Sequence, residues 1–252
     1  MNNRAFGVDP VRVVVDVAAR SGAADMALVR DSLARLGEDL PAELNLCEPL
    51  PTAAFSRRDR LQPQYDAAVA AAAAYGFMAI VRPVGGHLAL YGEGSLVLHH
   101  WARHPEPREH IRQRFALVGA CIADALRSLG VDALVGSVPG EYCKGEFSVN
   151  DAGRTKLAGT GQRIVKAGFL FSAVVMVQSA DSARRALIEA YRELGLAFDP
   201  ATVGCVADTV PGISVGEVRE VLLGSLSRVL NLQAPLSQPM GTRLASLDSS
   251  RN

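Results

Sequence analysis

Between residues 10 and 37, apolar positions recur at spacings of about three and four (Ala23, Met26, Ala27, Val29, Leu33, Leu36), which predicts a helix stopped at Gly37. Residues 43 to 56 alternate instead and contain Pro49 and Pro51, so one or two edge strands are expected there rather than a central one. The alanine-rich stretch 63 to 76 predicts a second helix, because alanine loses no side-chain entropy on entering one. Three β-like bursts follow at 77 to 82, 87 to 91 and 95 to 101, separated by Gly85-Gly86 and by Gly92-Glu93-Gly94.

Residues 107 to 129 carry Ile111, Phe115, Val118, Ile122, Ala125, Leu126 and Leu129 on one helical face, and Gly130 ends the pattern. Strands are then expected at 132 to 137, 146 to 151, 155 to 168 and 169 to 178. Turn residues at Asn150 to Gly153 and at Lys166 to Gly168 make antiparallel pairing the natural arrangement. Two amphipathic helices follow at 181 to 195 and 214 to 232, the second with Ser214 and Glu217 in capping-box order. From Ala234 the chain is rich in Ser, Pro and Gly, which predicts a disordered tail over 233 to 252. The pattern as a whole predicts an α/β (α+β) fold with a mixed, largely antiparallel sheet covered by helices. Residues 1 to 180 would form the main domain, and 181 to 232 a small helical part packed on it.

Of the 252 residues, 49% are hydrophobic, enough for a sizeable core. Twenty-six basic residues balance twenty-six acidic ones, so no net field favours nucleic acid or an anionic membrane as partner. The longest apolar run, 67 to 81, is interrupted by Gly76 and too short to span a bilayer. Charge within the apolar stretch at the N-terminus argues against a secretory signal, and a cytoplasmic location is expected. Cys47, Cys121, Cys143 and Cys205 are scattered, with no C-x-x-C pair and no histidine at ligand spacing. That argues against a metal site and against disulfides.

Two segments could carry chemistry. Arg82-Pro83-Val84-Gly85-Gly86 would let a ligand lie against bare backbone, or it is simply a hairpin turn. Cys143, in a glycine-flanked loop, would be a nucleophile if a cation such as Lys156 stood nearby, and otherwise a small buried hydrophobe. His87 is the best placed histidine, whereas His99 and His100 are neighbours on a strand, so at most one of them can face a given pocket. Packing is the ordinary reading for Cys47, Cys121 and Cys205.

In order and spacing, Arg82-x-x-Gly85-Gly86, Tyr142-Cys143-x-Gly145-x-Phe147-Ser148 and Gly153-x-x-Lys156-Leu157-Ala158-Gly159-x-x-Gln162-Arg163 resemble the lipoate-protein ligase and octanoyltransferase family. That family shares its catalytic fold with biotin-protein ligase. The match is nearest to the lipoyl-relay octanoyl-[glycine cleavage protein H]:protein N-octanoyltransferases, and it extends weakly to Asp25-Met26-Ala27-Leu28 and Asp199-Pro200-x-x-Val203-Gly204. Ser148 stands where members commonly carry an acid, and His87 where they carry a small or apolar residue.

The resemblance implies that Cys143 attacks an octanoyl or lipoyl carbonyl, forming a thioester from which the lysine of a lipoyl domain takes the acyl group. Lys156 would hold the carbonyl. Arg82, Gly85, Gly86, His87, Gly159 and Gln162 would bind substrate. No cofactor is implied for transfer beyond the acyl group carried covalently; ATP and Mg enter only if the chain is instead an ATP-dependent ligase. A non-catalytic acyl- or cofactor-binding relative is the third reading. Partners implied are lipoyl-domain proteins (2-oxoacid dehydrogenase E2 subunits, glycine cleavage protein H) or acyl carrier protein.

Overall fold

The computed structural model describes residues 4–7, 9–37 and 40–238. Its larger sheet has eight strands: β1 (Arg12–Asp16), β2 (Glu43–Cys47), β6 (Ser95–Arg103), β7 (Ala133–Val135), β8 (Val149–Asp151), β9 (Thr155–Val165), β10 (Gly168–Met176) and β11 (Leu236–Gln238). They lie in the order β11-β1-β2-β6-β10-β9-β8-β7. The β11/β1 and β1/β2 pairs are parallel and the rest antiparallel. A smaller sheet has β3 (Thr52–Phe55) between β4 (Met78–Val81) and β5 (Ala89–Tyr91).

The helices are α1 (Gly22–Arg35), α2 (Arg57–Arg60), α3 (Tyr65–Ala73), α4 (Ile111–Ser128), α5 (Asp181–Glu193) and α6 (Val215–Leu226). Both faces of the large sheet are buried. On one, α4 and α6 pack over Leu44, Leu98, Phe169 and Phe171; on the other, α1, α3, α5 and the small sheet enclose Val97, Trp101 and Leu170. The helices of 181 to 232 thus go to opposite faces, each completing one of the two cores. This is the mixed, largely antiparallel α/β arrangement expected from the pattern. No helix among the described residues is long and apolar enough to cross a membrane.

Three expectations need correction. Residues 12–16 are a strand, not the start of a helix: α1 begins only at Gly22, where Ser21 Oγ accepts from the Ala24 amide at 3.2 Å. β1 has a parallel neighbour on each side and buried faces, so its valines run consecutively instead of alternating. Neither strand of 43–56 is at an edge. β2 lies between β1 and β6 and β3 between β4 and β5, while Pro49 and Pro51 sit in the connection, where no ladder amide is needed. Finally, residues 236–238 of the expected disordered tail form β11 on β1; 239–252 lie outside the described residues.

Candidate active site

One cavity of about 460 Å³ opens between the 82–86 loop, the 142–148 loop and the inner face of β6, β9 and β10. It falls in the size range of roughly 300–1,000 Å³ usual for small-molecule sites. Cys143, Lys156, Arg82, Gly85, Gly86, Gly159 and Gln162 all line it, and Cys143 is its half-buried thiol.

Glu141 organises the cysteine loop. Its buried carboxylate accepts from the Val138 amide (2.9 Å), the Gly145 amide (2.9 Å), Ser148 Oγ (2.7 Å) and Lys156 Nζ (3.2 Å). The loop is further fixed by the Asp199 amide on the Gly140 carbonyl, at 2.7 Å, and by Tyr191, whose hydroxyl accepts from the Cys143 amide (2.8 Å) and donates to the Leu88 carbonyl (2.9 Å). Burial raises the Tyr191 phenol well above its ordinary range, so it stays a protonated donor. Cys143 itself has φ +42°, a left-handed conformation a non-glycine residue holds only when its surroundings enforce it.

The opposite wall is folded around a guanidinium. Arg82 donates to the carbonyls of Ala54 and His87 and, at 3.1 Å, to that of Gly85. Its Nη2 lies 3.6 Å from the Cys143 sulfur, and the His87 amide points at the same sulfur from 3.3 Å. Hydrogen bonds of this kind are stronger to an anionic acceptor than to a neutral one. Gly86 faces them with φ +99°, and a Cβ there would lie 2.7 Å from Sγ. Only glycine fits.

The structure separates the roles given to the site residues. Lys156 is buried and spends its three protons on Glu141, the Tyr142 carbonyl (3.1 Å) and the Cys143 carbonyl (2.8 Å). The cation beside the sulfur is therefore Arg82. His87 reaches the sulfur only through its backbone, since its ring Nδ1 is 2.8 Å from buried Asp59 Oδ1. Gln162 lines the cavity with its amide already engaged, accepting from Arg114 Nε at 2.8 Å and donating to the Ile111 carbonyl at 2.9 Å. His99 faces the cavity and His100 the opposite core, as their adjacency on a strand requires. Cys47, Cys121 and Cys205 are buried, and burial raises each thiol away from the reactive form.

Glu141 and Tyr191 complete the site without having been singled out in the sequence. Glu141 supplies, 7 positions earlier in the same β7–β8 loop, a carboxylate in contact with Ser148. A Glu directly before Tyr142-Cys143 was the available signal; Tyr191, on a distant helix, had none. Among the described residues no group of three or more His, Cys, Asp or Glu could hold a metal ion.

Residues 25–227 match the family model described as the lipoyl protein ligase A/B catalytic domain. A lipoate-protein ligase A solved with ATP superposes with a TM-score of 0.68 at 17% identity, covering 96% of this chain and 95% of that one. The bipartite lipoate protein ligase of Thermoplasma acidophilum, described together with its E2 lipoyl domain, gives 0.67 at 18%, covering 97% and 93%. A P. falciparum protein in complex with lipoate gives 0.62 at 11%, covering 90% and 66%. No curated protein sequence matches the chain.

Proposed function

Because the chain belongs to the lipoyl protein ligase A/B catalytic-domain family, we propose that it moves an octanoyl or lipoyl group to a lipoyl-domain lysine through a thioester on Cys143. The observation that carries this reading is the sulfur at the cavity wall between two donors, the His87 amide and Arg82.

In the first step the Cys143 thiolate attacks the acyl carbonyl carbon of the donor; the C–S bond forms, the donor's bond to that carbon breaks, and the leaving group takes a proton. In the second step the unprotonated lysine amine attacks the thioester, the C–N bond forms, the C–S bond breaks, the nitrogen gives up one proton to water and the thiolate returns. Lys156 serves both steps by fixing the Cys143 carbonyl, and it polarises the acyl oxygen once it gives up one of its present partners. Gly85, Gly86 and Gly159 keep that wall free of side chains, so the acyl group can approach backbone amides. Donor and acceptor would be 2-oxoacid dehydrogenase E2 subunits, glycine cleavage protein H or acyl carrier protein. The Thermoplasma ligase described with an E2 lipoyl domain supports that partner class.

ATP-dependent ligation is the second reading. It is favoured by the ATP-bound structural neighbour and by Lys144 and Arg112 at the cavity, where they would meet phosphate; Mg would accompany the nucleotide. Intact-mass measurement after incubation with an octanoyl thioester separates the readings. An adduct absent from Cys143→Ser and formed without ATP is the expected result. Acyl transfer only with ATP indicates ligation, and no reaction under either condition indicates a non-catalytic binder.

A further inference from the structure

Behind the sheet wall of the cavity lies a chain of buried polar groups that the transfer steps do not use. Ser172 on β10 and His99 on β6 are direct cross-strand partners, so both side chains leave the same face of the sheet, and both line the cavity that holds Cys143. Ser172 Oγ lies 2.8 Å from His99 Nδ1, and His99 Nε2 lies 2.9 Å from Asp25 Oδ2. Asp25 Oδ1 in turn accepts from Arg20 Nη1 at 2.7 Å, and the same guanidinium holds Asp16 and Asn45. Arg20, Asp25 and His99 are each more than nine-tenths buried. Burial alone would raise the Asp25 carboxyl, but His99 and Arg20 outweigh it and hold the group below its ordinary range.

Nothing about a saturated acyl chain calls for this construction. The next cross-strand pair on the same face is Val97 with Val174, and Met26, Val29 and Met176 continue the apolar lining. Valine at 99 and 172 would extend that surface with no polar group to satisfy at either position, and buried polar networks are commonly no more stabilising than apolar packing. What the network achieves is to hold one hydroxyl, in one orientation, in an apolar cavity. A serine hydroxyl has one donor and two acceptor sites, and His99 takes one of the three. An alkyl chain pressed against Ser172 would leave the rest unsatisfied.

We propose that this cavity selects a medium-chain acyl group bearing a hydroxyl along its length, seated on Ser172 and oriented through His99 and Asp25. The proposal rests on reading the cavity as the acyl site. A hydroxyl suits either protonation state of His99: it donates to Ser172 Oγ when the serine proton points to a bare Nδ1, and accepts from Ser172 when Nδ1 carries a proton.

Calorimetric titration of the full chain with octanoic acid and the positional series of monohydroxyoctanoic acids tests this directly. At least one isomer should bind about tenfold more tightly than octanoic acid, the scale of one net hydrogen bond gained on binding. Ser172→Ala should abolish that preference and bind octanoic acid at least as tightly as the unmodified protein does, because no hydroxyl is then left unsatisfied. Octanoic acid binding as well as every isomer, no acid binding at all, or a preference surviving in Ser172→Ala would overturn the proposal. Acylation of Cys143 is scored separately by mass. A hydroxyl preference with no adduct sinks the transfer reading alone, whereas an octanoyl adduct with no preference sinks this one alone.

Discussion

Lys156 meets Cys143 at its carbonyl oxygen, 2.8 Å from Nζ, while the sulfur of that residue takes its contacts from Arg82 and His87 across the cavity. The ammonium thus positions the nucleophile's backbone, and Arg82 supplies the charge near the sulfur. Because Lys156 is paired with Glu141 and both side chains are buried, Lys156→Met leaves a carboxylate uncompensated. Urea unfolding should show a loss of about 3–5 kcal/mol, the usual cost of breaking a buried pair from one side. Adding Glu141→Gln should recover part of that stability but none of the acylation.

Tyr191→Phe removes the acceptor of the Cys143 amide and a donor to the Leu88 carbonyl. Leaving such groups unpaired costs about 1–3 kcal/mol. The melting temperature should fall accordingly, and acylation of Cys143 should slow with it, since the φ +42° conformation loses one of its restraints.

Gly86→Ala would put a methyl group 2.7 Å from the Cys143 sulfur at a φ that L side chains rarely adopt. At least about a tenfold drop in acylation rate is expected, equivalent to about 1.4 kcal/mol. Circular dichroism should remain that of the native protein, because the displaced groups lie on cavity loops and not in the core.

The cavity walls were legible in the sequence wherever a local rule produced them. Gly85-Gly86, the Cys143 loop and the β9–β10 hairpin turned by Lys166-Ala167-Gly168 all follow from glycine placement and strand periodicity. Contacts made across the fold were not legible. Glu141 takes three partners from its own loop, but the cation that balances its buried charge is Lys156, fifteen positions later on β9. The Asp25–His99–Ser172 chain joins three separate elements, and nothing local announces it. β1 was misread for a related reason: a strand flanked by parallel neighbours on both sides has no period-two pattern to detect.

His100 gives the fold a pH dependence of its own. Its ring is buried against Phe6 and Phe169; burial, helped by the Arg114 charge and opposed by a bond to the Glu43 carbonyl, lowers its pKa to about 4. The folded chain therefore keeps this ring neutral where the unfolded chain takes up a proton below about pH 6.5. The contribution is complete above about pH 6.5 and is lost as pH falls towards about 4, with roughly 3 kcal/mol at stake. Unfolding free energies measured from pH 7 to 4 should fall less steeply for His100→Phe than for the unmodified protein.

The most direct test of the acyl-enzyme is a single-turnover chase. The protein is acylated with an octanoyl thioester, freed of donor, and mixed with a lipoyl domain in the absence of ATP. The expected result is that the octanoyl mass leaves the peptide containing Cys143 and appears on the lipoyl-domain lysine in equal amount. An adduct that stays on the protein while the lipoyl domain remains unmodified, or a lipoyl domain modified equally by Cys143→Ser, would contradict the account.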